Sequence, residues 1–303
     1  MSSSTETSAP VEATPHPAVS LLGLTKRFGQ QVAVAGVSLD IPTGSFLGLV
    51  GPNGAGKSTA LSMITGLLRP DSGTALLHGV DIWQDPTEVR RRIGVVPEDL
   101  RLFERLSGQE ILEYNGRLRE IPLKTTRARG EELLAVLGLQ DAARKLVVDY
   151  SSGMRKKIAL ACALIHSPSV LFLDEPFESV DPVSARTMRE VLNRLTETGA
   201  TIISSSHVME LVERLCDRVA ILNHGHLIAE GTTEAVCSGL TLEDRFAQLV
   251  GVTELGSSSL AWLHGGEESP PPSSVAPTES AANMPPPPSG GEPVPPPPPP
   301  PSA

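Results

Sequence analysis

Apolar residues in the first quarter of the chain recur in two patterns, one typical of strands and one typical of a helix. Residues 19–24 and 32–39 predict strands of a β-rich opening, joined by a turn around Gly29. The continuous apolar run at 46–50 predicts a short buried strand, and apolar positions recur at helical spacing over residues 57–68. A glycine-rich segment separates this strand from this helix, so the predicted order is strand, loop and helix.

The rest of the chain alternates apolar runs of strand length with segments of helical periodicity. The elements predicted after residue 68 are strands at 73–78, 93–96, 170–173, 201–204 and 218–222, and helices that begin near Ser107 and Ser151 or span residues 131–139, 182–196, 208–215, 232–237 and 242–250. Residues 99–150, approximately, form a mainly helical insert. The alternation predicts an α/β fold whose sheet is largely parallel and covered by helices on both faces.

The two ends of the chain differ in composition from its middle. Residues 1–17 are mostly Ser, Thr, Pro and Glu, and sixteen of the 28 prolines lie after Ser269. Such segments have too little apolar surface to form a core, and proline-rich ones favour an extended polyproline conformation. We therefore expect a disordered tail at 1–17, one domain at 18–250 and a proline-rich disordered tail at 251–303. The C-terminal tail is either a linker or a ligand for an aromatic-lined groove on another protein.

The net charge and the cysteines indicate which kinds of partner and which compartment to expect. The net charge is −10, but seven acidic residues lie in 1–17 and 246–303, which leaves −3 for the middle of the chain. Nucleic acid is therefore not an expected partner, because it normally needs a clustered basic face. The three cysteines lie far apart, which favours a reducing compartment over disulfides or a zinc site. With no apolar run near the roughly 20 residues of a membrane span, a membrane role would require another chain.

Residues 51–59 fit the pattern Gly-x4-Gly-Lys-[Ser/Thr] between a strand and a helix. Its glycines allow successive N–H groups and the positive end of the helix to converge on a β-phosphate. Lys57 would reach the β- and γ-phosphates, and the Ser58 hydroxyl would bind Mg²⁺. The candidate phosphate-binding residues are Gly51, Pro52, Asn53, Gly54, Ala55, Gly56, Lys57, Ser58 and Thr59. The alternative is a glycine-rich turn that binds nothing.

Polar residues follow two of the later strands. Asp174 and Glu175 come directly after the buried strand 170–173, and ligands of α/β sheets bind at this carboxyl edge. We expect Asp174 to hold Mg²⁺, directly or through water, and Glu175 to orient and polarise the attacking water. His207 follows the strand 201–204, where it either contacts a γ-phosphate or serves as a cap or core residue.

The order of these motifs resembles the ATP-binding subunit of ABC transporters over roughly residues 18–250. Tyr150-Ser151-Ser152-Gly153-Met154 lies about 20 residues before the acidic strand, where that family has Leu-Ser-Gly-Gly-Gln. The resemblance implies a P-loop NTPase core with a mainly parallel sheet, a β-rich N-terminal subdomain and a helical insert.

The resemblance also implies roles for further residues. Phe28 matches the aromatic residue that stacks on adenine, and His207 matches the switch histidine. Asp181 lies in the segment that matches the D-loop, and it is also a plausible N-cap for the helix that starts at residue 182. Ser151 and the amides from Gly153 onward open a helix and form a second anion site, which would bind ATP held by another subunit.

The chain departs from the family pattern at three positions. Ser152 stands where the motif usually has Gly, and Met154 where it has Gln. Glu98 occupies the position of the Q-loop glutamine, where it would approach Mg²⁺ or water and alter metal or nucleotide affinity. Sequences reading Tyr-Ser-x-Gly-Met resemble a subgroup of exporter ATPases, which favours export.

The function implied is an ATPase that binds ATP and Mg²⁺ and dimerises on ATP with a second ATP-binding subunit. It would drive transport through a separate integral membrane permease at the cytoplasmic face, with residues 98–107 turned toward that permease. Two alternatives stay open: a soluble ABC-type ATPase with a non-transport role, and a weakly active regulatory protein that binds ATP.

Overall fold

A computed structural model of the chain describes residues 17–251. Apart from residues 17 and 251 themselves, the two predicted tails lie outside the described residues. The strands are β1 (Val19–Phe28), β2 (Gln31–Ile41), β3 (Phe46–Val50), β4 (Ser72–Leu77), β5 (Val80–Asp81), β6 (Ile93–Val96), β7 (Val170–Leu173), β8 (Thr201–Ser206), β9 (Arg218–Asn223) and β10 (His226–Thr232). The helices are α1 (Lys57–Ile64), α2 (Pro86–Arg92), α3 (Gly108–Leu118), α4 (Leu123–Val136), α5 (Ser152–Leu164), α6 (Pro182–Glu197), α7 (Met209–Leu215), α8 (Thr233–Cys237) and α9 (Leu242–Val250).

The strands form two sheets of different kinds. A four-stranded antiparallel sheet has the order β2-β1-β4-β5, and a six-stranded sheet has the order β10-β9-β3-β8-β7-β6. Within the second sheet every neighbouring pair is parallel except β9 and β10. The mainly parallel sheet and the β-rich opening are therefore confirmed. Because β3, β8 and β7 are neighbours, the segments that follow them emerge side by side at one edge.

Two apolar cores hold the layers together. One joins the antiparallel sheet, α1 and one face of the parallel sheet, and its buried residues include Leu24, Val37, Leu47, Met63 and Phe172. The other joins the opposite face of the parallel sheet to the helical insert and α5, and its buried residues include Ile111, Leu134, Leu160, Leu173 and Leu192. Burial of β7 between both cores explains its unbroken apolar sequence.

The helical insert begins where its capping pattern predicts. The Ser107 hydroxyl accepts a hydrogen bond from the Glu110 amide at 3.3 Å, and the Ser107 amide donates to the Glu110 carboxylate at 2.8 Å. These reciprocal bonds satisfy amides at the start of α3 that the helix itself leaves without acceptors. The cap therefore fixes the start of the insert.

Several predicted boundaries were wrong. α1 ends at Ile64 instead of residue 68, because Gly66 turns the chain with φ 71° and Leu67 is exposed. α4 begins at Leu123, eight residues before the predicted start at 131, because its first two turns are polar and Pro122 at its N-cap provides no capping side chain. The sequence also failed to predict β5, α2 and β10.

Candidate nucleotide site

Two glycines of the loop between β3 and α1 lie against backbone, where a side chain would not fit. A Cβ atom on Gly51 would lie 2.2 Å from the Leu222 carbonyl oxygen, and one on Gly56 would lie 2.3 Å from that of Ala33. Gly56 also has φ 104°, a conformation that favours glycine. Among residues 17–251, no side chain caps the first turn of α1, so its amides remain available to an anion.

The Lys57 ammonium lies inside the curve of this loop. It donates a hydrogen bond to the Gly51 carbonyl at 2.7 Å and lies 3.6 Å from a carboxylate oxygen of Glu175. The residue is only 6% exposed. A buried ammonium of this kind needs anionic or carbonyl partners, and the loop and Glu175 supply them.

A second cluster joins the start of α1 to the ends of β7 and β8. The Ser58 hydroxyl donates to Asp174 Oδ1 at 3.2 Å, and the Ser205 hydroxyl donates to the same oxygen at 2.5 Å. Hydroxyl and carboxylate oxygens are the ligands that Mg²⁺ prefers. Residues 17–251 contain no cluster of three or more His, Cys, Asp or Glu suited to a metal. The donor set fits Mg²⁺, which usually binds through one or two protein ligands, water and substrate phosphates.

Glu175 and His207 meet at the same edge of the sheet. His207 Nδ1 lies 3.1 Å from Glu175 Oε2, and the Glu175 amide donates to the Ser205 hydroxyl at 2.9 Å. Glu175 is buried and has φ 44°, an uncommon conformation for a residue with a side chain. Sequence reasoning missed Ser205, although the run of serines that ends β8 was a signal for it.

A cleft of about 460 Å³ gathers most of the predicted site residues. Those that line it are Phe28, Pro52, Asn53, Gly54, Ala55, Gly56, Lys57, Ser58, Thr59, Glu98, Glu175 and His207. Gly51 and Asp174 adjoin it through their bonds to Lys57 and Ser58. Phe28, at the end of β1, is 52% exposed, and Lys26 Nζ lies 5.9 Å from the centre of its ring.

Ser151, Gly153 and Asp181 lie together elsewhere, outside the lining of this cleft. The Ser151 hydroxyl caps α5 by accepting from the Met154 amide at 3.3 Å. A Cβ on Gly153 would lie 2.6 Å from Asp181 Oδ2, so only glycine lets the two segments approach this closely. Asp181 caps α6, and its hydrogen bonds with Ser184 lower the pKa of its carboxyl. The predicted cap at Asp181 is therefore confirmed.

The hairpin between β9 and β10 ties the glycine-rich loop to the antiparallel sheet. The Gly225 amide donates to the Ala55 carbonyl at 3.0 Å, and the Gly225 carbonyl accepts from the Ala35 amide at 2.9 Å. Because the sequence did not predict β10, it did not predict this link. The cleft is thus framed by elements of both sheets.

None of the helices between residues 17 and 251 combines the length and the apolar character needed to cross a membrane.

A glycine-rich loop between a buried strand and a helix, with Asp174 and Glu175 at the end of the next strand but one in the same sheet, defines a P-loop nucleotide-binding protein. The family model described as ABC transporter matches residues 34–178. Two relatives extend the match over most of the chain. The linearmycin resistance ATP-binding protein LnrL of Bacillus subtilis is 38% identical over 217 residues, which are 72% of this chain and 70% of LnrL. The daunorubicin/doxorubicin resistance ATP-binding protein DrrA of Streptomyces peucetius is 39% identical over 226 residues, which are 75% of this chain and 68% of DrrA.

Solved structures agree with the sequence relatives. An ATP-binding subunit of an ABC transporter superposes with a TM-score of 0.72 at 28% identity, covering 77% of this chain and 99% of that one. A dimeric ATP-binding cassette in a post-hydrolysis state with ADP and Pi gives 0.66 at 26% identity, covering 71% of this chain and 98% of that one. The chain belongs to the ABC transporter ATP-binding proteins, and it is an ATPase.

Proposed function

We propose that this chain is the ATPase subunit of an ABC exporter, and that it hydrolyses Mg-ATP in the cleft lined by Phe28, Lys57, Ser58, Glu175 and His207. The observation that carries the proposal is the convergence of a buried ammonium and a buried carboxylate at one edge of the sheet, 3.6 Å apart. This edge is where open α/β sheets bind their ligands.

The residues of the cleft have separate roles in hydrolysis. Lys57 neutralises charge on the β- and γ-phosphates, and the amides of residues 51–59 hold the phosphate chain. Glu175 accepts a hydrogen bond from the attacking water and orients it, while His207 orients Glu175 and faces the γ-phosphate. The exposed ring of Phe28 stacks on adenine. The side chains given these roles, Lys57, Glu175, His207 and Phe28, all line the cleft.

Ser58 and Asp174 would hold Mg²⁺, with Glu98 at the margin of the cleft. When bound there, Mg²⁺ would supply positive charge against the phosphate oxygens. Glu98 adds negative charge where the family usually has a neutral glutamine. We expect this charge to shift the affinity for metal and nucleotide without abolishing turnover.

A second ATP-binding subunit, identical or related, completes the site. Ser151 and Gly153 lie outside the cleft of their own subunit, at the start of α5, with the Ser151 side chain at the surface. A helix start of this kind attracts anions, so it suits the γ-phosphate of a nucleotide held by the partner. The dimer found for the related cassette with ADP and Pi supports this arrangement. Asp181, which packs against Gly153, belongs to the same surface.

An integral membrane permease is the second proposed partner. The helical insert exposes Phe103, Tyr114 and Leu118, and the first two rings pack edge to face with centroids 4.9 Å apart. An exposed apolar cluster of this kind is typical of a protein–protein contact. It includes part of the segment predicted to face the permease, and through it the chain would be held peripherally at the cytoplasmic side of the membrane. The names of LnrL and DrrA as resistance proteins support export, and the cargo is selected by the permease.

Purification from native membranes tests this proposal. The parent chain should co-purify with an integral membrane protein and should hydrolyse ATP. Phe103→Ala combined with Tyr114→Ala should lose the membrane protein and keep ATP binding, whereas Lys57→Ala should keep the membrane protein and lose ATP binding. If the parent hydrolyses ATP but brings down no membrane protein, a non-transport ATPase is the better description.

A further inference from the structure

Two side chains of α5 hold the loop that carries Glu175. The Lys156 ammonium donates a hydrogen bond to the Glu175 carbonyl at 3.0 Å, and the Ser152 hydroxyl donates to the Ser179 carbonyl at 2.9 Å. Residues four apart lie on the same face of a helix. The loop at 175–179 is therefore attached to one face of α5 at both of its ends, and we call this pair of bonds the α5 clasp.

Lys156 is buried as if it were part of the core. It is only 7% exposed, and burial lowers the pKa of its ammonium, while the carboxylates of Glu178 and Glu98 act in the opposite direction. A charged side chain is tolerated at such a position when a polar partner compensates it. The neighbouring Lys157 is buried to nearly the same degree, but its ammonium lies beside Gly138, just after α4 within the insert. Lys157 therefore offers a matched control.

The backbone at Glu175 needs support from outside its own loop. Its φ of 44° lies in the left-handed region, which a residue with a Cβ adopts at some cost. Its amide is fixed by Ser205 at 2.9 Å, and its carbonyl accepts from Lys156 at 3.0 Å and from the Glu178 amide at 3.3 Å. Lys156 thus fixes the peptide plane between Glu175 and the residue that follows it. The direction of the Glu175 carboxylate toward Lys57 and His207 depends on that plane.

We propose that Lys156 is a positioning residue for Glu175 and that the α5 clasp couples the two ATP sites of the dimer. This inference rests on the proposed function. The start of α5 would contact the partner's nucleotide through Ser151, and the same helix holds Glu175 of its own site through Ser152 and Lys156. Nucleotide bound at one site therefore stabilises the hydrolytic geometry of the other. Ser152 provides a bond that the usual glycine at this position could not make.

The first test separates kcat from ATP affinity in the purified full chain. Lys156→Met should lower kcat roughly 10- to 100-fold, since a displaced catalytic group is costly, while the Kd for ATP stays within about twofold. Lys156→Arg should recover part of the lost turnover because it keeps a donor. Lys157→Met should retain the parent kcat. Parent-like turnover of Lys156→Met, or equal loss in both methionine variants, would overturn the positioning role.

The second test measures coupling between sites. Ser152→Ala removes one bond of the α5 clasp without disturbing the core, so the Hill coefficient for ATP should fall toward 1 with little change in Tm. A parent Hill coefficient of 1, or a parent-like coefficient in Ser152→Ala, would refute the coupling. If Lys156→Met fails to fold, Lys156→Gln takes its place, because its shorter side chain leaves the bond to the Glu175 carbonyl unmade, and parent-like turnover of that variant would refute the positioning role. A parent that neither binds nor hydrolyses ATP would instead refute the proposed function.

Discussion

His207 Nδ1 lies 3.1 Å from Glu175 Oε2, although 31 positions of sequence separate the two residues. The contact exists because β7 and β8 are parallel neighbours whose carboxyl ends meet. When Nδ1 carries the proton, it donates a hydrogen bond to the carboxylate, and Nε2 stays available for a second contact. The histidine therefore supports Glu175 and has a second atom with which to contact a ligand.

Replacement of His207 should impair hydrolysis more than binding. His207→Ala removes the partner of Glu175 and should lower kcat by roughly 100-fold, a typical contribution of a group that assists proton transfer. ATP affinity, measured by calorimetry, should change little because Lys57 and the loop amides are untouched. His226→Ala, an exposed histidine on β10, is the control and should keep the parent kcat. Undiminished turnover of His207→Ala would count against the role given to the contact.

Loss of the Lys57 ammonium should abolish tight ATP binding. The side chain is the main cation within the phosphate-binding loop, and charge-assisted hydrogen bonds contribute about 1.5–3 kcal/mol each. Lys57→Ala should therefore weaken ATP binding roughly 100-fold or more in a calorimetric titration. Lys124→Ala, in the helical insert, should bind as the parent does. If Lys57→Ala also binds ATP like the parent, the loop does not hold the phosphates.

Neutralising Glu175 should slow hydrolysis and preserve the ATP-bound dimer. Glu175→Gln keeps the size of the side chain but removes the charge that orients and polarises water. At saturating Mg-ATP, light scattering coupled to gel filtration should report a doubled mass. Glu190→Gln, in an exposed ion pair with Arg186, should turn over ATP as the parent does. A purely monomeric Glu175→Gln would argue against a shared site, unless the natural partner is a different chain, which co-expression with that chain would reveal.

Two glycines of the loop should respond differently to alanine. At Gly56 a Cβ would meet the Ala33 carbonyl at 2.3 Å, so Gly56→Ala must displace backbone and should lose both ATP binding and several degrees of Tm. At Gly54 the same atom would meet nothing within 4 Å, which leaves only the strain of φ 80°. Gly54→Ala should therefore cost about 1–2 kcal/mol of stability. Equal effects of the two substitutions in thermal melts would contradict this account of the loop.

Acid should destabilise the fold partly through His166. Burial, together with Arg119 and Arg129, lowers the pKa of His166 to about 4 from 6.5, and its Nε2 lies 2.9 Å from the Ile93 carbonyl. Because the folded-state pKa lies below the unfolded one, this contribution is fully present above pH 6.5 and is lost as the pH falls toward 4. The Tm of His166→Gln should fall less than that of the parent between pH 7 and pH 4.5. Parallel Tm profiles would exclude the contribution.

The sequence predicts best where the local pattern and the tertiary role agree. The strands β3, β6 and β7 match their predicted limits because each is a short apolar run that a Gly, a Pro or an acid ends. α4 does not, since its first turns carry polar residues and only its later part shows the apolar spacing of a buried face. β10 is a half-buried edge strand with no regular alternation. These failures reflect packing that the local pattern does not encode.

The candidate site divides in the same way. The loop at 51–59 could be found from spacing alone, because its chemistry lies within one continuous segment. The contacts of Glu175 with Lys57, His207 and Lys156 join four separate segments of the chain. They depend on the order of the strands and on how α5 packs, neither of which a local pattern shows. Ser205 illustrates the limit, since its hydroxyl bonds to both Asp174 and Glu175 yet matches no motif.

Gly225 has a consequence for nucleotide selection. Its amide donates to the Ala55 carbonyl in the loop and its carbonyl accepts from the Ala35 amide in the antiparallel sheet, so the sheet that carries Phe28 is hydrogen-bonded to the glycine-rich loop through this hairpin. If Phe28 stacks on the base and the loop holds the phosphates as proposed, these backbone hydrogen bonds limit the distance available between the base and the terminal phosphate. A substitution in this hairpin, remote from any reacting atom, would alter which nucleotides are accepted before it altered how quickly they are cleaved.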